Sequence, residues 1–312
     1  MVAVACCCFE LLTSLMLAQV DPASLVPLYR QALSARERQY GARHPKVARG
    51  ASDLGLYLLK LGDREGAVAA LRQALEIDLE QFPAGHPAVA EDRENLASAL
   101  TPSPETVSLL QQASNCPDPH IAARVLSKLG AMQEQAQRPD LAMASYRQAL
   151  KLEESAARLN DLALLLEPQP AEPLFRKALA MRQRDSGPKH PETAIAMNNL
   201  GNVLLAQRKV VEAERLQRGA LQILESALGK DHPRTGVSCS NLADVLRAKG
   251  DAASAKALYR RTLAIDERAH GMAHREVAAD LDNLAAYLLE LGEKTEAASL
   301  SRRAAAIKAG VK

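Results

Sequence analysis

The feature that most constrains this chain is a histidine that returns at a fixed distance. It recurs at one constant interval within each half of the sequence, and proline follows it in four of five cases: His44, His86, His190, His232 and His274. A period of 20 to 50 residues is typical of stacked supersecondary units. Proline directly after each histidine suits the first turn of a helix, where the missing N–H is not needed. The pattern predicts an array of similar units, with the histidine at the helix cap or in the adjacent connection.

Each unit has the pattern of two helices. A leucine followed by a small residue or threonine marks the first helix of each unit, at Leu12, Leu54, Leu96, Leu129, Leu162, Leu200, Leu242 and Leu284. The small residue is expected to let two helices approach closely, most clearly at Gly55, Gly130 and Gly201. Apolar residues then return every three or four positions, which predicts the buried face of an amphipathic second helix.

Aligning the units gives about eight helix pairs in one all-α domain. Their approximate bounds are 2–43, 44–85, 86–118, 119–153, 154–189, 190–231, 232–273 and 274–309. The units between 86 and 189 are irregular, because proline-rich turns are expected at 101–104 and 167–170. Pro173 is placed at the start of a second helix, since proline cannot continue a helix interior. We expect one continuous superhelix with a change of pitch in its middle.

This pattern resembles the tetratricopeptide repeat, whose unit is two antiparallel helices of about 34 residues. The 42-residue period of the histidines, the Gly-Lys-Asp-His-Pro connection at 229–233 and the Asn-Asn-Leu triplet at 198–200 are similar to the kinesin-light-chain subclass. The resemblance implies a right-handed superhelical α-solenoid. It also implies a surface that binds other proteins, because such arrays are usually binding surfaces and not reaction centres.

Composition and motifs argue against several other functions. The chain has 39 basic and 37 acidic residues with interspersed signs, so it lacks the basic patch of a nucleic-acid-binding protein. It has no Cys-x-x-Cys, zinc-ligand spacing, phosphate-binding loop or nucleophile motif. We therefore expect no cofactor, no metal and no catalysis. No segment has the length and apolarity of a membrane span, and the absence of a disulfide framework favours a cytoplasmic location.

The apolar segment 1–20 allows two interpretations. Glu10 interrupts the apolar run and no basic residue precedes Arg30, so a first-repeat helix is favoured over a secretory signal or anchor. The cysteines at 6–8 could carry lipid or fill space as small apolar side chains. Because no basic cluster adjoins them to supply a second membrane signal, packing is favoured.

An asparagine recurs directly before the marker leucine in four units, at 95, 199, 241 and 283. Asparagine is a mediocre helix residue, so its repetition needs an explanation. The resemblance implies that first helices line a concave groove and that this asparagine grips a peptide backbone. Alternatively, the amides bond between neighbouring first helices, and the two roles are compatible. The polar residues expected in the groove are Asn95, Lys128, Asn198, Asn199, Asn202, Asn241, Asp244, Arg247, Asp282 and Asn283.

These observations lead to two functional hypotheses. The first is a non-enzymatic scaffold that binds a peptide segment of a partner protein in the groove. The alternative is a self-associating or regulatory module that forms oligomers through exposed end repeats. The apolar stretch Ala304–Ile307 near the end of the chain motivates the second hypothesis, because repeat arrays usually need a polar cap.

Overall fold

The computed structural model describes residues 22–310, and this part of the chain is helical and contains no strand. The expected first-repeat helix and the cysteines at 6–8 lie outside the described residues. A 3-10 turn at Pro22–Leu25 precedes fifteen α-helices within 22–310. They are α1 (Val26–Tyr40), α2 (Pro45–Lys60), α3 (Arg64–Gln81), α4 (Pro87–Ala99), α5 (Pro104–Ala113), α6 (Pro119–Gln135), α7 (Pro139–Leu152), α8 (Ala156–Leu164), α9 (Pro168–Asp185), α10 (Pro191–Ala206), α11 (Val210–Leu228), α12 (Pro233–Lys249), α13 (Ala252–His270), α14 (Arg275–Glu290) and α15 (Lys294–Lys308).

Helices adjacent in sequence pack against one another, as the repeat pattern predicts. The complete pairs are α2–α3, α4–α5, α6–α7, α8–α9, α10–α11, α12–α13 and α14–α15, and α1 packs on α2. This confirms the all-α helix-pair architecture. We call the first member of each pair a first helix and the second member a second helix.

The chain divides into two compact units, with the division after Glu153. The described part of the first unit contains α1 to α7, and that of the second contains α8 to α15. Each unit has a core made mostly of alanine and leucine, with a few other residues such as Ile77 in the first and the larger Phe175 in the second. The small side chains let helices pack closely within each unit. One continuous superhelix over 2–309 stays a prediction.

The recurring histidines cap the first helices. In all five cases, at 44, 86, 190, 232 and 274, the Nδ1 atom accepts a hydrogen bond from the backbone N–H two residues later, at 3.1–3.3 Å. These bonds satisfy one of the backbone donors that a helix start leaves unpaired. The capping role predicted from the sequence is confirmed.

The predicted close approach of the two helices in a pair is also confirmed. A Cβ atom built on Gly130 would lie 2.6 Å from the ring of Tyr146, and one on Gly55 would lie 2.6 Å from Leu71. Gly201 faces the side chain of Gln217 in the same way. At these positions even a methyl group would have to displace a side chain of the second helix.

One expectation about the irregular middle is wrong. The turn at 101–104 is present, with Ser103 capping the short helix α5. In the fifth repeat, however, α9 begins at Pro168 and Pro173 lies inside the helix. Prolines at 168 and 170 fall in the first turn, where the backbone N–H has no intrahelical partner, so they start the helix instead of breaking it. Pro173 removes one internal hydrogen bond from a long helix, which packing on its neighbours tolerates.

Candidate functional site

The asparagines before the marker leucines join neighbouring first helices. Asn95 Nδ2 of α4 donates to Ser52 Oγ of α2 at 3.3 Å, and Asn199 Nδ2 of α10 donates to Asn160 Oδ1 of α8 at 2.6 Å. These bonds belong to what we call the polar ladder, the row of side-chain hydrogen bonds between consecutive first helices. The ladder is the second of the two roles considered from the sequence, and it orders the surface that the first helices form.

The ladder continues from α10 to α12 through two further contacts. Asn202 Nδ2 donates to Asn241 Oδ1 at 3.4 Å, and Ser238 Oγ donates to Asn198 Oδ1 at 3.2 Å. Asn198 is only 5% exposed, so its amide is part of the packing between helices and is not open to a ligand. Asn202 is exposed and also accepts a bond from Gln217 Nε2 at 2.8 Å. Asn198 and Asn202, which lie one turn apart on α10, therefore have different surroundings.

Three of the expected groove residues line one cavity on the second unit. This first-helix cavity lies at the carboxyl ends of α10 and α12 and has a volume of about 740 Å³. Its lining residues are Asn202, Leu205, Ala206, Arg208, Val210, Asp244, Arg247 and Ala248. Arg208 was not expected from the sequence. It follows the end of α10 in the left-handed backbone region, with φ of 61°, and its side chain is exposed beside the cavity.

Charged and aromatic groups fix the wall of this cavity. Tyr259 donates a hydrogen bond to Asp244 Oδ1, and Arg247 pairs with Glu290 while its guanidinium lies 5.6 Å from the ring centre of Tyr287. Burial raises the pKa of Asp244, an effect that the bond from Tyr259 and the charge of Arg247 oppose. Burial and the neighbouring carboxylate also raise the pKa of Tyr259. The wall thus holds its donors and acceptors in fixed positions.

In the first unit, Lys128 forms an ion pair with a buried acid. Its Nζ donates to Glu94 Oε1 at 3.0 Å and to Ser98 Oγ at 2.8 Å. Glu94 is 6% exposed and also binds Arg124, at 2.9 Å. Burial acts to raise the pKa of Glu94, but the bonds from Arg124 and Lys128 outweigh it and lower the pKa. Lys128 therefore neutralises a neighbour between α4 and α6, and little of its charge is left for a ligand.

The last first helix contributes residues near the surface. Asp282 on α14 is partly exposed and pairs with Lys308, while Asn283 is exposed. Both lie one repeat beyond the first-helix cavity. The structure thus groups Asn202, Asp244 and Arg247 in one cavity and leaves the other expected residues in the ladder, in ion pairs or apart from it.

Sequence reasoning missed two pairs of acidic residues, which we call the carboxyl pairs. Asp78 of α3 pairs with Asp92 of α4, and Asp266 of α13 pairs with Asp280 of α14. A signal was present, because each pair places one aspartate shortly before a capping histidine and the other shortly after it, at the same two distances. Among residues 22–310, no three histidine, cysteine or acidic side chains form a group that could hold a metal. Within the same span, no helix is long and apolar enough to cross a membrane.

Consecutive helix pairs with a polar surface along their first helices define the class of α-helical repeat proteins. The chain belongs to the tetratricopeptide repeat family. Models of this repeat match residues 18–80, 159–218, 195–268 and 236–309, and a further one matches 123–155. A comparison with curated proteins gives no match.

Solved structures of related architecture are similar to this chain at low identity. A Rap protein complexed with Competence and Sporulation Factor matches with a TM-score of 0.58 and 14% identity, over 85% of this chain and 78% of that one. BtubC (BKLC) from P. vanneervenii matches with a TM-score of 0.39 and 18% identity, over 94% and 92% of the two chains. Nearly identical TPR-like repeats of a kinesin light chain type from Podosopora anserina match with a TM-score of 0.36 and 20% identity, over 86% and 98%. The likeness to the Rap protein supports the helical-repeat fold.

Proposed function

We propose that this protein is a non-enzymatic scaffold that binds an extended segment of a partner protein along its first helices. The observation that carries the proposal is the first-helix cavity, where Asn202, Asp244 and Arg247 meet beside Arg208. Amide, carboxylate and guanidinium groups together offer donors and acceptors for a peptide backbone and its polar side chains. The family supports the coarser statement, since tetratricopeptide repeats are interaction modules.

The cavity and the ladder have different roles in recognition. Asn199 and Asn241 are used in bonds between helices, so they hold the surface in one arrangement before a ligand arrives. A preformed surface avoids part of the entropy cost of binding. Arg208 is exposed and offers a charge-assisted bond to a carboxylate of the bound segment. The Rap protein, whose fold is similar, is complexed with Competence and Sporulation Factor, and this supports a binding role for the fold.

The test is a selection of binding peptides followed by variants of the cavity. Peptides selected from a displayed random library on the full chain would be measured against a triple variant, Asn202→Ala with Arg208→Gln and Arg247→Gln. We expect the selected peptides to lose at least about tenfold in affinity, because charged hydrogen bonds contribute about 1.5–3 kcal/mol each. The measurement is fluorescence anisotropy with labelled peptides.

A matched control separates a local loss from a general one. Arg147 on the second helix α7 is exposed, and Arg147→Gln should leave binding unchanged. Circular dichroism of both variants checks that helicity is retained. If the selected peptides bound the triple variant as tightly as the unaltered protein, the cavity would not be the binding site. Asn199→Ala is unsuitable for this test, since Asn199 does not line the cavity. Because Asn202→Ala breaks the ladder bond to Asn241, the double variant Arg208→Gln with Arg247→Gln is measured beside the triple variant and should show most of the loss.

We propose self-association through the end repeats as a second candidate. Leu289 at the end of α14 is 53% exposed, and Leu291 after it is also exposed. Both belong to the last helix pair, where a second copy could cover them. Sedimentation at micromolar concentration tests this, because Leu289→Glu should shift a dimer to monomer. A monomeric unaltered protein would refute the candidate.

A further inference from the structure

The two carboxyl pairs lie in two cavities that occupy the same place in the two units. The first cavity, of about 420 Å³, is lined in part by Ser52, Asp78 and Asp92. The second, of about 260 Å³, is lined in part by Ser240, Asp266 and Asp280, which hold the equivalent positions of the repeat. Both cavities lie where the second helix of one pair meets the first helix of the next. Their volumes are at or below the lower part of the range of about 300–1,000 Å³ for small-molecule pockets, which suits a single side chain.

Each carboxyl pair lacks a donor unless one of its two carboxyls holds a proton. Asp78 and Asp92 are 6% and 5% exposed, and Asp78 Oδ1 and Asp92 Oδ2 have no partner other than the facing carboxyl, to which a bond needs that proton. Asp266 Oδ1 and Asp280 Oδ2 are unsatisfied in the same way. Two buried carboxylates side by side repel, and unpaired buried acceptors are costly. Burial raises the pKa of Asp92 and of Asp280 to about 7, with the partner carboxylate as the next cause.

The charged neighbours do not neutralise either pair. The groups that act on the first pair are His86, Glu91 and Arg49, and those that act on the second are His270, His274 and Glu276. Two arginines line the first cavity, but Arg49 is in contact with Asp53 at 3.5 Å and Arg124 with Glu94 at 2.9 Å. Each pair is therefore open to compensation by a positive group from outside the chain.

At two other junctions, which have no carboxyl pair, an arginine occupies the position of the first aspartate. Arg36 lies at the same distance before His44 as Asp78 does before His86. Its guanidinium fills the space in which a Cβ atom on Gly50 would lie. It lies 4.0 Å from Asp53. Arg182 holds the same register before His190 and lies 3.8 Å from Glu192. This position in the repeat thus accommodates a guanidinium.

We infer that the two cavities bind basic side chains of the partner segment, one guanidinium or ammonium group compensating each carboxyl pair. This rests on the proposed function and names the side chains that such a segment would carry. A planar guanidinium can donate to two carboxyl oxygens at once, which makes arginine the better ligand. A metal ion fits less well, because no third acidic, histidine or cysteine ligand completes either pair among residues 22–310. Where the pair holds a proton, that proton passes to solvent as the cation binds.

The experiment uses N-acetyl-arginine amide as the probe and the full chain as the receptor. Calorimetric titrations at about pH 6.5, in two buffers of different protonation enthalpy, would report both affinity and proton release. We expect proton release at pH 6.5 and an affinity that rises several-fold by about pH 8. N-acetyl-citrulline amide has nearly the same shape without the charge, and it should bind at least about tenfold more weakly. Equal binding of the two probes would overturn the inference.

Variants assign the effect to the two cavities. Asp92→Asn and Asp280→Asn should each remove one site, and the double variant should lose arginine binding. Glu65→Gln is the control for net charge, because Glu65 is an exposed acid at the far end of α3. Undiminished arginine binding by a folded double variant would refute the inference. The triple variant of the first-helix cavity should still bind arginine amide, so failure of the groove proposal and failure of this one are distinguishable.

Discussion

Replacing Asp92 by asparagine should stabilise the protein at neutral and alkaline pH. In the folded state burial, followed by the charge of Asp78, raises the pKa of Asp92 from 3.8 to about 7. Each unit of difference corresponds to about 1.4 kcal/mol, so ionising Asp92 in the fold costs on the order of 4 kcal/mol. An amide of nearly the same shape carries no charge and can donate a hydrogen bond to Asp78. We expect the variant to be more stable at about pH 8 by on the order of 2–4 kcal/mol.

The sign of the pH dependence follows from proton binding. Between about pH 4 and pH 7 the folded protein keeps a proton on Asp92 that the unfolded chain releases, so the free energy of unfolding falls as pH rises through this window. The variant lacks this decline and should match the unaltered protein most closely near pH 4. The second carboxyl pair stays intact in both proteins and contributes equally to each.

The assay is urea unfolding followed by circular dichroism at several values between about pH 4 and pH 8. Because repeat arrays can unfold in parts, hydrogen exchange of α3 and α4 would show where the stability changes. Glu65→Gln removes an exposed acid from the neighbouring helix α3 and should leave the pH dependence unaltered. If Asp92→Asn showed the same pH dependence as the unaltered protein, or were less stable at pH 8, the account of the carboxyl pair would be wrong.

Three further predictions concern the repeat itself. His190→Ala should cost about 1 kcal/mol of stability by removing the cap bond to the next helix, while His190→Asn should restore most of it in urea unfolding. Gly130→Ala should destabilise by about 1–3 kcal/mol despite the better helix propensity of alanine, because the methyl group would strike the ring of Tyr146; a stabilised variant would contradict this. Asn199→Ala and Asn160→Ala should each cost about 1 kcal/mol, and a double-mutant cycle should show coupling, whereas additive effects would argue against a ladder bond.

Much of the fold could be predicted because its signals are local and repeated. The capping histidine needs only its own backbone and the N–H two residues on, so His44 and its equivalents act as the sequence suggests. Gly130 could be assigned to a close approach because the same small residue recurs beside the same leucine. Pro173 could not be placed from sequence alone, since where α9 begins depends on which prolines fall in its first turn.

The candidate site was predicted only in part, because exposure differs between polar residues one turn apart on the same helix. Asn198 and Asn202 belong to the same polar set, yet one is buried against Ser238 and the other lines the first-helix cavity. Arg208 takes the turn position that glycine holds at 62, 250 and 292, with the same positive φ, and the repeat pattern alone does not show that its side chain reaches the cavity. The exposure of such side chains depends on how neighbouring helix pairs pack, and the spacing of residues in the sequence does not describe that packing.

Spacing within one unit is enough to set the helix pairs, their starts and the faces on which they pack, so these features can be read from the chain without its three-dimensional structure. Which side chains come together at the junctions between helix pairs depends on how the pairs pack against one another. Asp78 and Asp92 belong to different pairs, and only packing brings their carboxyl groups together away from water. The physical reason is that burial and mutual repulsion arise when two helices dock, so the chemistry of a junction belongs to neither helix alone.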